Sequence, residues 1–231
     1  MKVLAIDSSN YCMGVAIMDG DTIIGEIITN LKKNHSVRLM PAIDQLLEEV
    51  GLKPNELERI VVAEGPGSYT GLRIGVSIAK TLAWTLGIPL VGVSSLEVLA
   101  QSGRYYTGVI VPFFDARRGQ VYTSLFKSEG TFVQRRTEDQ IVLLEDWLNE
   151  NKDKYESFLF ISNDLAIHKE TIESILGNKA LFAPVSSTNA RPSELARIGS
   201  SKEPVEDVHH FTPNYVRLAE AEAKWLASQK K

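Results

Sequence analysis

An α/β protein of two similar lobes, each built on a mixed sheet, is the fold class that this sequence predicts. Three observations carry the expectation. The first half reads β-β-β-α-β-α-β-α, with three closely spaced strands and then strands alternating with helices. The second half opens on another strand meander and alternates again, the pattern of a duplication facing a cleft. The 231 residues suffice for a sizeable core, and 44% hydrophobic with 23% charged residues is the balance of a globular protein.

Residues 3–6 read as a buried strand ending at Asp7-Ser8-Ser9-Asn10. Residues 13–18 and 22–28 are two further strands joined at the turn signal Asp19-Gly20-Asp21, so the three are antiparallel neighbours. A helical pattern covers 36–50, with Val37, Met40, Ile43, Leu47 and Val50 three to four apart and Leu39 and Leu46 widening the stripe. Ser36 is the expected N-cap and Gly51 the stop; Pro41 should kink this helix or mark a later start. Strand 60–63 and a helix ending near Leu86 follow. Residues 90–93 form a short strand, and Ser94 or Ser95 caps a helix through Leu99.

In the second half, 109–115 and 120–126 read as a hairpin around Ala116-Arg117-Arg118-Gly119, with a third strand at 131–135. Thr137-Glu138-Asp139-Gln140 has capping-box spacing and should open a helix containing Leu144, Trp147 and Leu148. Strand 158–161, helix 168–176, strand 181–185, a short helix 193–198, a connection 207–215 and a strong helix 218–227 complete the chain. The expected division is a lobe at 1–104, a second at 105–213, and a C-terminal helix, about 214–231, packing back on the first lobe.

Between strand 60–63 and its helix lies Glu64-Gly65-Pro66-Gly67-Ser68-Tyr69-Thr70-Gly71-Leu72-Arg73-Ile74-Gly75. Strand, glycine turn and helix is a layout that can present free N–H groups to an anion. It matches neither the P-loop nor the dinucleotide fingerprint, and on spacing alone a tight crossover without a ligand is favoured. Gly71, Gly75, Ala79 and Ala83 recur every four residues and let another backbone approach closely. That backbone is either the protein's own sheet and helix or a partner's helices; the pattern alone leans to internal packing.

Asp7 and Asp115 occupy equivalent strand ends and in a cleft would face each other near a phosphate or a magnesium ion. With Ser8, Ser9, Gly65 and Gly67 they make a candidate phosphate site, although the turns are poor in glycine. The four histidines, His35, His168, His209 and His210, form no metal-binding spacing, and no nucleophile elbow occurs. No metal site and no catalytic residue are therefore expected. A net charge of −4 argues against bulk nucleic-acid binding, and the single cysteine, Cys12, rules out an internal disulfide. With no run of transmembrane length and no signal peptide, a cytoplasmic protein is expected.

The chain resembles the TsaB (YeaZ) family of bacterial proteins for threonylcarbamoyladenosine biosynthesis on tRNA. The resemblance rests on Leu4-Ala5-Ile6-Asp7-Ser8-Ser9, the glycine segment 65–75, Val93-Ser94-Ser95-Leu96-Glu97, Asp115-Ala116-Arg117 with Val121-Tyr122, and Pro213-Asn214-Tyr215-Val216-Arg217 with Glu220-Ala221-Glu222. It implies the actin/Hsp70/sugar-kinase fold and kinship with TsaD, the catalytic transferase. The metal-binding histidines of that relative match Ser95 and Leu99 here, which fits the absence of a metal motif. The implied role is a noncatalytic subunit that stabilises and positions a TsaD-type transferase, with a TsaE-type ATPase joining and tRNA touched only indirectly. Helices 36–50 and 69–86 are the implied docking surface, through Val37, Met40, Asp44, Leu47, Gly71, Ile74, Gly75, Ile78, Ala79 and Ala83. The same face would pair the free chain as a homodimer. No cofactor is implied, with a nucleotide at a subunit junction left open. The alternatives are a phosphotransferase or ATPase of the same superfold, motivated by Asp7, Asp115 and the glycine turn, and a metallopeptidase, motivated only by distant kinship.

Overall fold

Residue alternation along the strands sets the layers. In the computed structural model, which describes residues 1–31 and 33–216, β1 (Lys2–Asp7), β2 (Cys12–Asp19) and β3 (Thr22–Asn30) form the expected meander. Gly20 turns the second hairpin at φ +56°. Strands β4 (Arg59–Gly65) and β5 (Leu90–Ser94) add to β1 in parallel, giving the order β3-β2-β1-β4-β5. The second sheet repeats this plan with β6 (Val109–Asp115), β7 (Gln120–Thr123), β10 (Gln140–Leu143), β11 (Phe158–Ile161) and β12 (Ala180–Phe182), ordered β10-β7-β6-β11-β12. A small hairpin, β8 (Phe126–Ser128) and β9 (Val133–Arg135), hangs on the start of β6. Strand β10 takes the place that β3 holds in the first sheet, so the duplication is one of topology.

Leu4 and Ile6 of β1 point to a layer made by α1 (Leu39–Glu49) and α2 (Tyr69–Leu86), while Val3 and Ala5 point the other way. On that inner side lie α3 (Ser95–Ala100) and α6 (Pro192–Ser201). Strand β6 alternates likewise: Val109, Val111 and Phe113 face α4 (Leu144–Asn151) and α5 (Leu165–Leu176), and Ile110 and Phe114 face the inner helices. The third helix of each half is thus shared between the sheets: α6 packs across β1 and β2, and α3 packs on β6. The expected lobe 105–213 is corrected for α6, which belongs to the packing of the first sheet. A clamp holds it there: Arg59 Nη1 donates to the carbonyls of Gly199, Ser200 and Lys202 at 3.0, 2.9 and 3.1 Å, completing the C-terminal end of α6.

Several local expectations change. The pattern over 36–50 splits into a 3-10 turn at His35–Val37, capped by Asn34, and α1 from Leu39; Ser36 caps neither. Pro41 therefore stands in the first turn, where an N–H would lack a helical partner anyway. The strand expected over 120–126 breaks at Ser124 and Leu125, because the facing Pro112 of β6 has no N–H to pair there. The capping box at 137–140 does not cap. Gln140 pairs with β7 as β10, Thr137 Oγ1 accepts from the Leu125 N–H at 2.9 Å, and α4 starts only at Leu144. The strand at 181–185 is Ala180–Phe182 followed by a 3-10 turn, Val185–Ser187. The helix expected at 218–227, and most of the segment 214–231, lie outside the described residues.

Candidate functional site

The glycine turn closes on the loop after β1. Gly65 has φ +117°, which favours glycine, and the Gly65–Pro66 peptide is cis. The Ser68 N–H donates to the Ser9 carbonyl at 2.7 Å, and a Cβ on Gly67 would stand 2.1 Å from that same oxygen. One turn on, a Cβ on Gly71 would meet the Ser8 carbonyl at 2.1 Å, and one on Gly75 the Ser8 hydroxyl at 2.4 Å. Ser8 Oγ donates to the Gly71 carbonyl at 2.8 Å, and Ala79 and Ala83 are buried. The small stripe exists so that α2 can lie directly on β1 and its loop. At Gly67 and Gly71 the Ser9 and Ser8 carbonyls come so close that no side chain fits between the helix and the loop after β1.

Asp7 is correspondingly enclosed. It is 4% exposed, and its Oδ1 accepts from the Ser9 N–H at 2.9 Å and from the Ser9 hydroxyl at 2.7 Å. Burial is the largest influence and pushes its carboxyl above the ordinary value; the Ser9 bonds and His35 pull the other way. Asp7, expected to face Asp115 across a cleft, is not among the residues that line the cleft. Asp115 alone lines the interlobe cleft, a space of ≈ 850 Å³ bordered also by Asn10, Tyr69, Arg117, Asp164 and Ile167. Its carboxylate is oriented from behind by buried His168, Nε2 to Oδ1 2.9 Å, and its N–H donates to Asp164 Oδ2 at 3.0 Å. Sequence reading took His168 as a helix start and as one of four histidines without metal-binding spacing; its partner Asp115 lies 53 residues away in the chain, so no local pattern signalled the pair. Arg117 and Arg118 turn the hairpin at φ +65° and +55°, an unusual conformation for side chains with Cβ.

The cleft brings together the carboxylates of Asp115 and Asp164, asparagines, the hydroxyls of Ser68 and Thr70, His35 and aromatic rings. Among the described residues no group of three or more His, Cys, Asp or Glu could hold a metal ion. Cys12 is buried, and burial pushes its thiol up to about 12.

The residues expected to dock a partner divide into two sets. Val37 (70% exposed), Met40 (42%) and Asp44 are open, and Ile74 and Ile78 are half-buried. Leu47, Gly71, Gly75, Ala79 and Ala83 are buried within this chain and are corrected: they face the first sheet. The 3-10 turn carrying Val37 abuts α2, so the open set lies on one helical layer. Among the described residues no helix is long and apolar enough to cross a membrane.

A family model described as "TsaD: tRNA N6-adenosine threonylcarbamoyltransferase" matches residues 22–225. The tRNA threonylcarbamoyladenosine biosynthesis protein TsaB of Bacillus subtilis is 54% identical over 230 residues, covering 100% of both chains. The protein of the same name from Escherichia coli is 29% identical over 152 residues, 65% of each chain. Among solved structures, YeaZ from Pseudomonas aeruginosa superposes with a TM-score of 0.76 at 22% identity, over 93% of this chain and 99% of that one. A polyphosphate/ATP-glucomannokinase from Arthrobacter reaches 0.51 at 11% identity, over 86% and 98%, a likeness of fold alone. The duplicated sheets are thus those of the sugar-kinase superfold, and by full-length identity the chain belongs to the TsaB family of tRNA threonylcarbamoyladenosine biosynthesis proteins.

Proposed function

We propose that this chain is the noncatalytic subunit of a cytoplasmic tRNA threonylcarbamoyladenosine-modifying assembly, in which it binds and positions a TsaD-type transferase. A TsaE-type ATPase completes the assembly, and the chain needs no resident cofactor. The observation that carries the reading is the open apolar set on the helical layer: Val37 and Met40 stand in water beside half-buried Ile74 and Ile78. Apolar side chains exposed together on a helix pair are what a second helix pair would cover. Asp44 adds a charged edge to the same surface. In the absence of the transferase, a second copy uses this face to form a homodimer. The close packing of α2 on the loop after β1 supports this role over a phosphotransferase or ATPase.

The test is association of the purified full chain with the transferase, read by calorimetry and size-exclusion chromatography. Met40→Asp and Val37→Asp each place a charge in the contact while leaving the core untouched. Each should weaken association by about 10-fold or more, as expected for a charge facing an apolar patch. Unchanged affinity in both variants, with the parent bound, would remove the docking surface from this face.

A further inference from the structure

The side of α2 that faces away from α1 carries a second surface. The segment 207–216 runs back along α2 and is fastened at both ends. Lys80 Nζ donates to the carbonyls of His209 and Phe211 at 2.8 and 2.7 Å. At one end Trp84, 66% exposed, meets the His209 ring edge-on at 5.6 Å. At the other, Arg73 Nε donates to the Tyr215 hydroxyl at 3.1 Å, and its guanidinium lies 4.2 Å over the Tyr69 ring. The Tyr69 and Tyr215 rings are 5.1 Å apart, and Tyr69 is 41% exposed. Tyr69 and Trp84 stand about 22 Å apart along the helix at 1.5 Å per residue.

The charge on this ridge runs against that of the whole chain. The protein has 29 acidic and 25 basic residues, yet the 18 residues of α2 include Arg73 and Lys80 and no Asp or Glu. Ser77 and Thr81, between the two ends, are exposed and neutral. Asp207, at the Trp84 end, is held by His210 Nδ1 at 2.5 Å and by the His209 N–H at 2.7 Å. The outer face of α1, by contrast, exposes Asp44, Glu48 and Glu49. Aromatic rings spaced along a cationic, carboxylate-poor surface are a stacking platform for unpaired bases, with the phosphates between them met by the cations. Protein interfaces favour the same aromatic residues and arginine, but they do not require a polyanion-compatible field.

We propose that the ridge formed by α2 and residues 207–216 binds single-stranded RNA directly, with bases stacking on Tyr69 and Trp84 and the backbone drawn by Arg73 and Lys80. The proposal stands on the ridge and does not need the docking reading. It departs from the expectation, drawn from net charge, that this chain touches tRNA only through other subunits.

Fluorescence anisotropy of a labelled 15-nucleotide oligouridylate, titrated with the full chain between about 50 and 200 mM salt, tests it. Binding should saturate, with a log–log salt slope of about −1.4 for two phosphate contacts. Tyr69→Ala and Trp84→Ala should each weaken it roughly 5-fold or more, and Arg73→Ala should reduce the slope by about 0.7. Ser77→Glu, which touches no core residue, should weaken binding without altering the melting temperature, and Met40→Asp should leave it unchanged. Absence of saturable binding by the parent would overturn the proposal, as would binding indifferent to all the ridge variants. Ridge variants that lose the transferase but keep RNA affinity would overturn it too, and would give the ridge to a protein partner.

Discussion

Gly75 is where the close approach of α2 to β1 can be measured. On an open helix surface Gly75→Ala would stabilise by about 1 kcal/mol through helix propensity. Here the added methyl would sit 2.4 Å from Ser8 Oγ, which is 2% exposed and already donates to the Gly71 carbonyl. Relief requires either moving α2 off the sheet, at about 1–3 kcal/mol for overpacking, or turning the hydroxyl away from its buried acceptor, at a similar cost. The net expectation is a loss of about 2 kcal/mol, or roughly 4–8 °C in melting temperature for a chain of this size. Ser8→Ala alone loses its hydrogen bond, about 1 kcal/mol. It also removes the obstacle, because the remaining Ser8 Cβ lies 3.6 Å from the new methyl, an ordinary contact. The double variant should therefore return to about parental stability, a coupling of about 3 kcal/mol between two contacting sites. Urea unfolding followed by circular dichroism gives each corner of the cycle. Stabilisation by Gly75→Ala alone, or simple additivity of the two losses, would refute the packing argument. A bulkier residue at Gly75 would likewise read folding and not docking, which Met40→Asp tests.

Two further outcomes concern buried ionisable groups. Glu64 lines a charged pocket with Glu97, Asp139, Arg135 and Lys202, and burial is the main influence raising its carboxyl above 4.5. A raised folded-state value means that its contribution to stability is full below the unfolded value and is lost as pH climbs through the folded one. Glu64→Gln should therefore melt above the parent at pH 7, with the gap closing toward pH 4; a gap that widens on acidification would contradict this. Cys12, with its thiol pushed up to about 12, should resist a thiol reagent at pH 8 in the native protein and react fully in denaturant. Rapid labelling of the native chain would show the β2 position to be open.

The strand meander, the parallel crossovers and the duplicated plan were all legible, because alternation in β1, β4 and β6 and the turn at Asp19-Gly20-Asp21 are local signals. What failed was where local preference met a tertiary partner. Thr137 to Gln140 reads as a cap, yet Gln140 to Leu143 found an open edge on β7 and paired with it. The break at Ser124 was dictated by Pro112, a residue on another strand whose register no local window contains. The placement of α6 on the first sheet was likewise invisible: Gly14 against Pro192 and Gly199 against Val61 are contacts between distant parts of the chain.

The small-residue stripe shows most clearly what a pattern can and cannot say. Gly71, Gly75, Ala79 and Ala83 announce that a backbone comes close, without saying whose. The partner reading and the internal reading predict the same four residues. They differ in what the four residues touch: here a Cβ on Gly71 or Gly75 would meet Ser8, and Ala79 and Ala83 are buried in the core under the first sheet. The consequence reaches the function. This chain has laid α2 on the turn after β1 and satisfied Asp7 with Ser9. Ser8 and Ser9 are thereby spent on holding α2 in place. With the inner face of α2 committed to the sheet, recognition by other molecules falls to its two flanks. One flank presents apolar side chains beside the acidic surface of α1; the other presents aromatic rings and cations beside residues 207–216. A single rigid helix, fixed by glycine contacts to the first strand, thus sets the geometry of both surfaces at once. For that reason Gly75→Ala should disturb both binding equilibria together, whereas Met40→Asp and Ser77→Glu should each disturb one.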